Sequence, residues 1–113
     1  MTREEIYKML ESTGYPVAYL QFPEDAVPPL PFVTYYFPYS DNFGADNSVY
    51  QQIEKLNVLL YTKNKDFVAE GTVEAVLGAA SHYWDKSETY IFSEHSYQVL
   101  YETEVIITNG EQD

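Results

Sequence analysis

Residues 49–61, VYQQIEKLNVLLY, form one unbroken run with strand-like composition and no proline or glycine to interrupt it. Leu56, Val58 and Leu60 fall on one face of such a strand; Lys55, Asn57, Leu59 and Tyr61 fall on the other. At about 3.3 Å per residue the run spans roughly 40 Å. That exceeds the body of a small domain, so its Val49 end is expected to project as part of a hairpin with residues 32–39. Projecting hairpins commonly pair or pack between subunits. A polar, acidic loop over residues 41–48 leads into the run, and a short basic turn over residues 62–65 leads out of it.

The remaining elements fall on either side. Residues 2–13 read as a helix: Thr2 and Glu5 have capping-box spacing, Ile6, Met9 and Leu10 share a face, and Gly14 supplies the stop. Strands are expected over residues 17–22 and 32–39. Four of the six prolines lie between them, a stiff connector that cannot join a ladder. A second helix is expected from Lys65 or Asp66 to Ala80, with Asn64 as N-cap. Ala69, Val73, Val76, Leu77 and Ala80 form its apolar stripe, Phe67 lies at its rim, and Glu70 and Glu74 face water. Gly71 and Gly78 are expected to permit close packing of this helix. Residues 83–93 and 97–108 alternate as a closing antiparallel pair. The order α-β-β-β-α-β-β predicts an α+β domain over residues 1–108, a mostly antiparallel sheet of four to five strands with two helices packed against it. Residues 109–113 read as a disordered tail.

Eighteen acidic residues against six basic ones give a formal net charge of −12. Such a surface does not seek nucleic-acid phosphates, which need clustered Lys and Arg. It suits letting DNA pass without sticking. Twelve tyrosines argue for an interaction protein, because Tyr buries its ring while its hydroxyl stays wet. Cysteine is absent, which excludes disulfides, thiol nucleophiles and Cys-based zinc sites. The charged N-terminal residues and the lack of a long apolar run predict a soluble cytoplasmic chain without a membrane span.

Catalytic chemistry has little support. His82 and His95 sit in neither a Gly-x-Ser-x-Gly context nor a zinc-type spacing. Glu102 and Glu104 are explained by alternation along a solvated strand face. The Asp/Asn loop over residues 40–48 lacks the twelfth-position Glu of a calcium loop, and turn chemistry accounts for it. No Gly-rich phosphate loop is present. No enzyme, metal or cofactor is expected.

The stretch from Asn42 to Glu70, with Tyr15-Pro16, PPLPFVTYY from Pro28 and ETYIFSEHSYQVLYETEV from Glu88, resembles the tail-completion family of long-tailed bacteriophages and prophages of Gram-positive bacteria. The resemblance covers most of the chain in order. It implies a compact sheet-plus-two-helices fold and a virion structural protein, also called a tail terminator. Such a protein caps the tail tube as a ring, typically hexameric, ends tail polymerisation and joins the tail to the head connector. The partners implied are further copies of the chain, the tail tube protein and the head connector protein, with DNA passing through the ring. Its location would be the host cytoplasm during assembly and the head–tail junction in the virion.

From the projecting-hairpin argument, Tyr35, Tyr39, Tyr50 and Tyr61 are the candidates for subunit contacts. Asp41, Asp46 and Glu54 are the candidates for a channel or loop surface. Two other readings stand beside this one. An acidic DNA mimic would set carboxylates in regular rows, whereas here they are scattered from Glu4 to Glu104. A head-side connector or adaptor would be expected to contain more helix.

Overall fold

A computed structural model of the chain describes residues 1–40, 43–45, 48–80 and 83–108; for residues 43–45 and 48–51 it describes the backbone alone. Helix α1 (Arg3–Glu11) starts at Thr2, whose hydroxyl accepts the Glu5 amide at 3.1 Å while the Glu5 carboxylate accepts the Thr2 amide at 2.7 Å. This reciprocal cap satisfies two amides the first helical turn would leave bare. The chain leaves the helix through Gly14, whose φ of +86° an L side chain resists.

The sheet is built around β4 (Ser48–Thr62), the fifteen-residue strand at its centre. Strands β1 (Val17–Tyr19), β2 (Phe32–Tyr36), β5 (Trp84–Ile91) and β6 (Ser96–Ile107) complete the order β1-β2-β4-β6-β5, and β3 (Phe43–Ala45) pairs with β4. All pairings are antiparallel except β1 with β2. The class is α+β, as the element order predicts.

Register decides which residues meet. Val33 lies opposite Leu60 and Tyr35 opposite Val58; Leu60 in turn faces Val99, and Val58 faces Tyr101. These side chains share one face of the sheet and join Ile6 and Leu10 of α1 and Ala69, Val73 and Leu77 of α2 (Phe67–Ala80) in a single core. Both helices therefore cover the same face. Replacing fully buried Leu60 by Ala would open a cavity in this core and cost about 2–5 kcal/mol. The opposite face carries Phe32, Tyr36, Leu59, Tyr61, Gln98 and Leu100 in register and has no helix over it.

Several element boundaries differ from the sequence expectation, each for a local reason. The first strand stops at Tyr19 because Leu20 enters a γ-turn: its φ is +68°, and the Gln21 amide donates to the Tyr19 carbonyl at 2.8 Å. The second strand ends at Tyr36, before Pro38, which has no amide to offer a ladder. The N-cap of α2 is Asp66 rather than Asn64, its carboxylate accepting the Ala69 amide at 2.9 Å. Gly71 has open space where a side chain would stand, so close packing does not account for it; a side chain at Gly78 would meet the Trp84 ring at 3.6 Å, an ordinary contact. Ala80 is exposed rather than part of the stripe, and Phe67, expected at the rim, is exposed. The expected tail, residues 109–113, lies outside the described residues.

Candidate interaction surface

The last β4 residue paired with β6 is Gln52, opposite Ile107, so residues 48–51 overhang the main sheet. Their partner is β3, with Ala45 opposite Ser48 and Gly44 opposite Val49. The projecting element expected from the strand's length is therefore present, but its second arm is β3 and not a continuation of residues 32–39. Pro38 breaks that continuation, and beyond it the Lys55 amide donates to the Tyr39 carbonyl at 2.9 Å and Ser40 forms a bridge with Glu54. The molecule measures 50 × 27 × 24 Å, and its radius of gyration of 15.2 Å exceeds the ~13 Å of a compact domain of this length. The overhang and the long central strand account for that elongation.

The predicted contact residues divide. Tyr39 is exposed beside the base of the overhang. Tyr61 lies half-buried on the helix-free face, its ring 5.0 Å from Phe32 and its hydroxyl accepting from Gln98 Nε2 at 2.9 Å. Tyr35 is a correction: it faces the helices, 7% exposed, with the rings of Tyr19 and Phe37 edge-on to it. It holds α1 and β1 to the sheet and is not available to a neighbour. Tyr50 lies on the overhang with only its backbone described, and Asp41, Asp46 and His82 lie outside the described residues.

Glu54 is the second correction. Its position on β4 puts it on the covered face with Leu56, not on a channel surface. Arg3 Nη2 reaches it at 3.0 Å, Ser40 Oγ at 2.8 Å and Gln52 Nε2 at 3.2 Å, and the same guanidinium lies 4.8 Å from the Phe37 ring centre. Burial alone would raise the Glu54 carboxyl, but these hydrogen bonds and the Arg3 charge outweigh it and hold it below the usual carboxylate value. Glu54 clamps α1 and the segment entering the overhang onto β4.

Glu70 also departs from expectation, being buried rather than solvated. Lys65 Nζ lies 2.6 Å and Lys86 Nζ 3.1 Å from its carboxylate; Lys86 also reaches Glu74 at 2.8 Å, and Lys65 reaches Glu88 at 2.5 Å. Buried Tyr101 donates to Glu74 Oε2 at 2.9 Å. Burial, followed by the Glu74 hydrogen bond and the two carboxylate charges, pushes the Tyr101 hydroxyl well above its ordinary value. Periodicity could not show this network, because the lysines come from the turn before α2 and from β5. Its effect is to lock α2 onto the sheet.

Five of the six basic residues are thus tied to acids of the same chain: Arg3 to Glu54, Lys8 to Glu4, Lys55 to Glu104, and Lys65 and Lys86 to Glu70. What the molecule offers outward is negative. Glu102 and Glu104 do lie on the helix-free face, where Lys55 engages Glu104. Among the described residues no group of three His, Asp or Glu is placed to hold a metal ion. No described helix is long and apolar enough to cross a membrane. Neither a protein-family model nor a curated protein matches the chain.

Proposed function

We propose that this protein is a phage tail terminator, a structural subunit that forms a ring on the end of the tail tube, stops its growth and offers a docking surface to the head connector. The observation that carries the reading is the β3–β4 overhang on an elongated domain whose two ends differ. One end projects the hairpin, with Tyr39 at its base; the other exposes Phe67, Val68 and Phe92 around the start of α2 and the β5–β6 turn. A contact between unlike surfaces is heterologous, and heterologous contacts close into rings when the rotation permits. The outward negative charge suits a lumen through which DNA slides, because five of the six cations are already engaged by acids of the same chain.

The experiment is to replace residues 43–50 by a tight Asn-Gly turn and add parent or shortened protein to assembled tail tubes. The shortened protein is expected to stay folded, since the core lies outside the overhang, and to leave tube ends uncapped in electron micrographs. Equal capping by the two proteins would remove the hairpin from the interface. Failure of the parent to bind tube ends would reject the function.

A further inference from the structure

The connector between β1 and β2 crosses the helix-free face and walls a groove of about 470 Å³. Leu20, Val27, Leu30, Phe32 and Tyr61 supply apolar walls, and Leu20 and Val27 are more than half exposed. Leu20 is held in the left-handed region, where a branched side chain is strained, and that turn sets its side chain at the groove edge. Below lies Thr34, 3% exposed, whose hydroxyl is enclosed without a hydrogen-bond partner. Buried polar groups are nearly always paired, so an orphaned hydroxyl at the foot of an apolar groove calls for a reason. The one charged side chain that lines the groove is acidic, Glu94 at its rim.

We infer that this groove binds an extended segment of a different protein, one that carries an aliphatic or aromatic anchor beside Lys or Arg. The apolar walls take the anchor, Glu94 takes the cation, and Thr34 pairs with a backbone group of the segment. Charge decides against a second copy's hairpin. Residues 41–52 contain Asp41 and Asp46 and neither Lys nor Arg, so that segment would set like charges against the rim. The groove belongs to the single chain, and the inference does not depend on ring formation.

The test is selection of a random peptide library on the intact protein, followed by titration of the enriched peptide and of a synthetic peptide of residues 41–52. Enriched sequences are expected to pair Lys or Arg with Leu, Ile, Phe or Met and to shift the amide resonances of Phe32, Thr34 and Val27. Val27→Asp and Glu94→Lys, both at exposed positions, should each weaken binding about tenfold or more. Thr34→Val keeps the shape and leaves no orphan hydroxyl; it should fold at least as stably yet bind more weakly, whereas a purely structural Thr34 would leave binding unchanged. The inference is overturned if no sequence is enriched over the Val27→Asp control, if enriched sequences lack basic residues, or if the residue 41–52 peptide occupies the groove as tightly.

Discussion

Glu70 and Glu54 carry long-range constraints through single side chains. Their carboxyls titrate below the usual value of 4.5 in the fold: burial opposes this, and Lys65 and Lys86 for Glu70, or Ser40 and Arg3 for Glu54, overcome it. The unfolded chain therefore takes up these protons first, so the stabilisation is present above about pH 4.5 and is lost as pH falls through the folded values. Tyr101 and Lys86 are shifted upward, so their contribution is complete below about pH 10 and declines above it. Urea denaturation across pH should show both limbs. Glu70→Gln should lower stability at pH 7 by about 2 kcal/mol and flatten the acid limb; an unchanged acid slope would mean that the lysines do not hold Glu70. Leu20→Gly should relieve the left-handed strain and raise stability by roughly 0.5–1 kcal/mol, after allowing for the greater freedom of Gly in the unfolded chain. Neither residue's role was legible from its neighbours in sequence, since Glu70 meets a lysine sixteen residues away and Leu20 owes its φ to the crossover.

Among the elements, the long strand and the β5–β6 pair were legible because alternation is a local signal with period two. Leu56, Val58 and Leu60 lie on the helix-covered face as their spacing requires. The same alternation extended two residues back places Glu54 on that face, where hydrogen bonds from Ser40, Arg3 and Gln52 make a carboxylate tolerable. What alternation could not supply was the partner of the overhang, because a three-residue strand such as β3 has too little pattern to read. In α2 the spacing found Ala69, Val73 and Leu77, while the close packing expected of the two glycines does not account for Gly71. Open space around Gly71 makes a specific expectation: Gly71→Ala should stabilise the domain by about 1 kcal/mol in chemical denaturation. Destabilisation would show that something packs there.

At the scale of the whole molecule, charge and shape act together. A chain of net charge −12 whose lysines are mostly engaged at home repels its copies, so the free protein should sediment as a monomer at low salt and associate more readily as salt screens the repulsion. A stable hexamer of isolated protein at micromolar concentration and low salt would contradict that account. The claim on which the rest turns is that copies of this subunit close the end of a tail tube. Electron microscopy of phage particles assembled with and without the protein tests it most directly. Without it, tails should be overlong and detached from heads, and adding the protein back should restore uniform joined tails; particles of normal length and attachment in its absence would contradict the account.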